Sequence, residues 1–330
     1  MKIKYILFLL GIISGLQAQV DVTVATHRGA GFFAEFGKVI QNIIHYEPEG
    51  IHTLKVDWTN QFFPFKNSTE ENGWNLYFEP VVTENQPEKT TGVIKQVKNT
   101  AKHELHGQNC VGHWVKYDEN LPYRLFVHEK IMKYIHIKPH IIQLVDDFYE
   151  KHMKDNLCVG IHIRFANAHI AEAPKGHPSL DDYCKEVDSL LKEHSTKRIK
   201  IFLASDSHAV IKHFKQRYNN KLLYLDTYRA QEKEDPSLIY EKAKYYTTHP
   251  EEWAKEKPGY NGGLGVLMDC LLLARCNFFI HITSNVASYV CFFNPYIKSI
   301  FLPKNITFSP CRFRNDKDIV NPFLKPGLAA

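Results

Sequence analysis

The chain has 330 residues, 44% of them hydrophobic and 23% charged, the proportions of a globular protein with a sizeable core and about two domains. Its net charge is +5, from 41 basic residues spread along the chain. That dilution excludes a nucleic-acid footprint while allowing a local basic pocket for an anionic ligand.

Residues 1–18 differ in character from the remainder of the chain. Met1-Lys2-Ile3-Lys4 is a short basic start, Tyr5 to Leu16 is a 12-residue apolar run, and Ala18 offers a small residue for cleavage. This is the three-part layout of a secretory signal peptide, and the run is short for a membrane span. The expectation is export with no stable span after cleavage; a membrane anchor formed by residues 5–16 is the alternative, and an N-terminal strand a third reading. The seven cysteines (110, 158, 184, 270, 276, 291 and 311) show no zinc spacing. Cys158, Cys270, Cys276 and Cys291 lie in apolar runs and read as small buried hydrophobes.

Asp21 to Thr26 is a β-branched strand. It breaks at His27-Arg28-Gly29-Ala30-Gly31, and Phe33, Phe36, Val39, Ile40, Ile43 and Ile44 then recur at helical spacing. Strand, glycine turn and helix N-terminus let backbone N–H groups approach a phosphate or sugar. Many glycine turns also start helices that bind nothing. Ile51 to Asp57 is the next strand, followed by an aromatic, turn-rich stretch; residues 81–120 read as irregular. Helices are expected over Pro122–Tyr134 and Lys138–Met153.

From there the pattern alternates. Cys158 to Arg164 (CVGIHIR) is a buried strand ending in His162 and Arg164, which share one face because residues i and i+2 of a strand do. Helices are predicted over 180–194, 207–218, 263–275 and 285–293, and strands over 198–204, 221–226, 277–283 and 299–302. Such alternation gives parallel βαβ units, so the expected architecture is α/β with two Rossmann-like halves facing a cleft. The expected division is 19–154 for the N-terminal domain, 155–312 for the C-terminal one and 313–330 for a tail.

Three predicted strands end in polar residues: His162 with Arg164, Ser205-Asp206-Ser207, and Thr283-Ser284-Asn285. Strand carboxyl ends are where ligands bind in open α/β sheets. The arginine offers a planar fork suited to phosphate; a strand-end arginine paired with a nearby carboxylate is the other reading. Ser and Asp at these places also cap helices. Asp269 lies within the apolar Val266–Leu273 helix, where a carboxylate needs a partner, either a structural arginine or the donors of a base.

These residues carry a resemblance. His162-x-Arg164, Phe202-Leu203-Ala204-Ser205-Asp206, and Leu267-Met268-Asp269 with Thr283-Ser284-Asn285 resemble the three motif regions of the NodZ/alpha-1,6-fucosyltransferase superfamily, which includes the protein O-fucosyltransferases. Gly29-Ala30-Gly31 with Phe36 resembles its N-terminal donor loop. The likeness spans roughly residues 22–300 and is greatest to bacterial-type members. It implies a GT-B fold binding GDP-fucose between two α/β domains, with a glycan or protein-linked acceptor, inversion at the anomeric carbon and no metal or other cofactor.

Carried over by position, Arg164 would clamp the pyrophosphate, and His162 and Asp269 would meet the guanine end. Ser284 and Thr283 would donate to phosphate oxygens, with Asn285 beside them. Gly29 and Gly31 would line the phosphate-sugar region, and Asp206 would support the nucleotide. Glu172, eight residues after Arg164, is near where some relatives hold a catalytic carboxylate; it reads equally as a solvated loop residue. The chain departs from the pattern at Phe165, where many alpha-1,6 enzymes have a second arginine, and at Ala166-Asn167-Ala168, which replaces charged residues. A non-catalytic nucleotide-sugar or glycan-binding protein of the same fold is the rival reading.

Overall fold

A computed structural model gives the structure of the protein for residues 19–26, 31–60, 63–68, 71–81, 94–99, 117–164, 178–227, 229, 258–282 and 284–302. The leader, Gly29, Glu172 and Thr283 therefore lie outside the described residues.

Alternating apolar residues build the first strand, β1 (Gln19–Ala25), with Val20, Val22 and Val24 buried. It is the middle of a parallel sheet of order β2-β1-β3, with β2 at Ile51–Asp57 and β3 at Ile94–Asn99. β3 falls in the stretch expected to be irregular. Its apolar residues, Ile94 and Val97, are three apart, so it shows neither alternation nor an apolar run. Helix α1 (Phe32–Tyr46) returns along the sheet with Phe32, Phe33, Phe36, Val39, Ile40 and Ile43 buried.

A single turn, α2 (Trp74–Tyr77), precedes two long helices, α3 (Tyr117–Tyr134) and α4 (Pro139–His152). α3 begins before Pro122, the residue expected to open it. Proline lacks an N–H and so reads as a helix start, yet here it is accommodated within the helix.

The second sheet is parallel throughout, with order β6-β5-β4-β7-β8. Its strands are β4 (Leu157–Ile163), β5 (Ile199–Ser205), β6 (Leu222–Leu223), β7 (Phe278–His281) and β8 (Lys298–Phe301). The connecting helices are α5 (Leu180–Glu193), α6 (His208–Tyr218), α7 (Gly259–Ala274) and α8 (Asn285–Phe293). The α/β class and the two parallel sheets agree with the sequence reading.

The pleat sorts β4 into two faces. Val159, Ile161 and Ile163 join a core with Tyr183 and Val187 of α5 and Val210 and Phe214 of α6. Cys158 belongs to the other face, in a core shared with α7, α8 and the first sheet. On that face Gly160 stands in register with Phe202 and Phe279. A Cβ on Gly160 would lie 2.9 Å from Leu273 Cδ2 and 3.0 Å from Cys276 Sγ, so its missing side chain lets the end of α7 seat on the sheet.

The two sheets share this core through aromatic contacts. Tyr289 of α8 stacks on Phe33 with ring centroids 5.2 Å apart and meets Phe36 edge-on at 4.9 Å. The Tyr77 hydroxyl lies within reach of the carbonyls of Phe65 and Tyr260. The N–H groups of Gly259 and Tyr260, at the start of α7, donate to the Pro64 carbonyl and to Asn67 Oδ1. The glycine-rich start of α7 is thus tied to the N-terminal half. Among the described residues, no helix is long and apolar enough to cross a membrane.

Candidate functional site

In the second sheet the chain runs from β4 outward to β5 and β6, then returns to the other side of β4 as β7. The strand order reverses between β4 and β7, and the carboxyl ends at such a reversal form a crevice. His162 lies there, in register with Ala204 on one side and His281 on the other.

The next residues after β7 complete this corner. Ser284 is the N-cap of α8, its Oγ accepting the Ala287 N–H at 3.0 Å. The same Oγ lies 3.2 Å from Nδ1 of buried His162. The capping reading of Ser284 is therefore correct, and it is joined to the imidazole as well. If the hydroxyl donates to Nδ1, His162 carries its proton on Nε2. If Nδ1–H donates instead, the hydroxyl proton remains on Oγ. Each tautomer leaves the pair one donor proton suited to a phosphate oxygen or a base acceptor.

Arg164 follows directly after β4 and is half-buried. It has no ion-pair or hydrogen-bond partner among the described residues, so the paired-arginine reading finds no carboxylate there. Asp206 is half-buried in the turn after β5. The Ser207 side chain makes no cap bond to α6; its N–H instead donates to Ser205 Oγ at 3.3 Å. Asn285 opens α8 beside Ser284.

At the first sheet, Gly31 is the N-cap of α1 with an extended backbone, and an added Cβ would meet no atom of the described residues within 4 Å. Among the described residues, neither backbone conformation nor packing explains that glycine. Thr26, directly after β1, has its hydroxyl buried and unpartnered among the described residues.

Asp269 lies on the face of α7 that meets the segment after β6. Gly265, one turn before it, approaches Thr227 so closely that a Cβ would lie 2.6 Å from Thr227 Cγ2. Asp269 is partly exposed as a residue, but its Oδ1 is enclosed and has no partner among the described residues. Burial pushes its carboxyl up to about 8, against the opposing pull of the Arg229 guanidinium. Sequence reasoning asked for an arginine or a ligand beside Asp269; Arg229 acts on it through its charge, with no ion pair or hydrogen bond between the two. It was missed because it lies 40 residues upstream, outside any motif.

Two further groups were missed. His281 is buried, stacks on Phe279 at 4.6 Å, and bonds the Ile282 carbonyl through Nδ1 at 3.0 Å. Its Nε2 is an unpartnered acceptor among the described residues, and burial lowers its basicity to about 4. Arg124 of α3 is the other, buried and donating to Ser299 Oγ at 3.1 Å. Among the described residues, no group of His, Cys, Asp and Glu could hold a metal ion.

No curated protein matches the chain. Among solved structures, it is similar to a NodZ alpha-1,6-fucosyltransferase co-crystallised with GDP, with 17% identity over 84% of this chain and 93% of that one, and a TM-score of 0.49. A fucosyltransferase NodZ from Bradyrhizobium gives the same identity and TM-score, covering 84% of this chain and 94% of that one. POFUT1 in complex with GDP gives 9% identity over 88% of this chain and 99% of that one, with a TM-score of 0.45. The model of the family described as Nodulation protein Z (NodZ) matches residues 108–309. That match covers more than half of the chain, including β4, Asp269 and Ser284, and the protein belongs to the NodZ family.

Proposed function

We propose that the protein is a fucosyltransferase that takes fucose from GDP-fucose and passes it to a hydroxyl of a glycan or protein-linked acceptor. The observation that carries this reading is the corner between β4 and β7, where the His162–Ser284 pair and Arg164 stand in a chain of the NodZ family. Solved NodZ relatives were co-crystallised with GDP and soaked with GDP-fucose.

The chemistry follows from the residue types. The bond between the anomeric carbon and the β-phosphate oxygen breaks, and its electron pair leaves with GDP. Arg164, Ser284 and Thr283 meet the growing negative charge, with the Gly29–Gly31 backbone and Asn285 lining the phosphate-sugar region. His162 and Asp269 hold the guanine, and Asp206 supports the nucleotide. The acceptor oxygen attacks the opposite face, inverting the centre, and gives its proton to a base, for which Glu172 is the candidate. Protein donors supply the charge stabilisation, so the reaction is proposed to be metal-independent.

Purified protein incubated with GDP-fucose should release GDP faster when a glycan mixture is added, and a chelator should leave that rate unchanged. Binding of GDP-fucose without turnover on any acceptor would favour a non-catalytic nucleotide-sugar-binding protein. We also propose that residues 1–18 are a cleaved leader. A mature chain starting near Gln19 supports export; intact Met1 in a soluble cytosolic fraction defeats it.

A further inference from the structure

In a parallel α/β sheet the helix-to-strand connections open on the amino edge, opposite the crevice at the carboxyl ends. In the second sheet this edge carries exposed positive charge. Lys151 lies in the last turn of α4 before β4, and Lys192 in the last turn of α5. Lys197 and Arg198 precede β5, Lys221 precedes β6, and Lys298 opens β8. None of these cations has an ion-pair partner among the described residues. The carboxylates beside them are largely engaged: Glu150 pairs with Lys154 at 2.6 Å, Asp146 pairs with Arg275, and Glu193 faces His194 at 3.7 Å. Basic residues dispersed in sequence are thus gathered along one edge in space. The strand order β6-β5-β4-β7-β8 strings them over four strand spacings, about 19 Å. At the β8 end, Tyr296 is 64% exposed, the most of any large hydrophobic side chain described. Phe278 joins that end to α5, with Lys298 Nζ 5.4 Å from its ring and the His194 ring 5.2 Å away.

We propose that this amino edge is a docking surface for an anionic lipid bilayer, on which the protein sits with the β4–β7 crevice turned toward water. Charge complementarity is the driving force: each lysine or arginine held near an anionic leaflet adds to the attraction. The composition of the edge favours lipid over a single bound anion. Five of the six cations are lysines, compact point charges without the planar fork that grips one phosphate. They are strung along the edge by separate connections instead of converging, which matches a diffuse negative surface. Tyr296 adds an amphipathic ring at the same edge, a side chain suited to the headgroup layer. The local field is felt by His152, whose basicity is lowered by burial and then by the charges of Lys151 and Lys200. Docking by this edge leaves the strand carboxyl ends, with His162, Arg164 and Ser284, on the far side of the sheet. The inference does not rest on the GDP-fucose reading, since it concerns the opposite edge.

The test is co-sedimentation of the full chain with vesicles of pure phosphatidylcholine and of phosphatidylcholine mixed with phosphatidylserine, at low and high salt. The apolar leader is common to every variant, so the differences between variants are what is read. Wild type should bind the mixed vesicles more tightly than the neutral ones, and high salt should remove that preference. Lys197→Gln/Lys221→Gln should weaken binding to mixed vesicles about 30-fold, at about fivefold for each lysine lost. Its melting temperature and its binding to neutral vesicles should match wild type. Lys151→Gln/Lys298→Gln, drawn from other connections, should lose as much, and serves if the first variant does not fold. Lys55→Gln/Lys185→Gln removes the same net charge from exposed positions elsewhere and should bind nearly as wild type does. Tyr296→Ser should weaken binding while leaving its salt dependence in place. The proposal is overturned if wild type shows no preference for the mixed vesicles, or if the Lys55/Lys185 variant loses as much as the edge variants. Wild-type binding by Tyr296→Ser would overturn the placement of this edge in the headgroup layer. Heparin or polyglutamate held as tightly as the mixed vesicles would overturn the lipid assignment in favour of a soluble polyanion.

Discussion

Ser284 Oγ stands 3.2 Å from His162 Nδ1 and accepts the Ala287 N–H at 3.0 Å, so one hydroxyl joins the end of β4 to the first turn of α8. Ser284→Ala removes both bonds at once. The lost cap should cost about 1 kcal/mol of stability, read by denaturant titration. GDP affinity should fall by more than that destabilisation accounts for, because the imidazole loses the hydrogen bond that holds its ring in place. Ser284→Thr keeps the oxygen and should restore both. Unchanged GDP affinity in folded Ser284→Ala would reduce Ser284 to a helix cap.

Arg164 separates charge from geometry. Lysine keeps the charge and loses the planar fork that fits a pyrophosphate. Arg164 leans on no described partner, so Arg164→Lys should melt like wild type. Transfer from GDP-fucose should drop on the order of 10²-fold, the scale seen when one donor to a developing oxyanion is removed. Near-normal turnover would make this arginine structural.

Gly31 offers a cleaner test, since no described residue fills its side-chain space. In Gly31→Ala the entropy lost from the unfolded chain favours folding, while alanine is the poorer N-cap. These opposing terms are each below about 1 kcal/mol, so stability should barely move. If the sugar-phosphate of the donor passes over this helix start, the new methyl group obstructs it, and KM for GDP-fucose should rise with the melting temperature unchanged. A wild-type KM would remove the glycine turn from the site.

What the sequence made legible came from local pattern. The spacing in α1 and the buried run of β4 announced themselves because one face of each is core. Ser284 and His162 were legible for related reasons, one at a helix start and the other two residues before a strand-end arginine. β6 was expected to run six residues and pairs over two, Leu222 and Leu223. It is an edge strand with a single neighbour, so few ladder bonds hold it. α7 was expected from Gly263 but begins at Gly259, since Pro64 and Asn67 supply partners that glycine's poor helix propensity would not predict. Arg229 shows the limit most clearly: its charge acts on Asp269 only once the segment after β6 folds onto α7.

Asp269 and His281 make opposite demands on stability as pH changes. The folded Asp269 carboxyl sits near 8 against an ordinary value of 3.8, because burial penalises its charge. The native state therefore holds a proton that the unfolded chain has released. The stability from Asp269 is full below about pH 4 and is lost as pH rises through 8. His281 is depressed to about 4 from 6.5, again by burial. Here the unfolded chain holds the extra proton, so stability from His281 is full above pH 6.5 and lost as pH falls toward 4. Between pH 4 and 6.5 the two slopes oppose and largely cancel. From 6.5 to 8 Asp269 acts alone, and ligand-free wild type should lose about 2 kcal/mol relative to Asp269→Asn over that interval. His281→Asn should uncover the Asp269 slope in the acid range as well. Denaturant titrations at pH 5, 6.5 and 8 read each difference directly. A wild-type minus Asp269→Asn difference that stays level from 6.5 to 8 would show that Asp269 is not enclosed in solution.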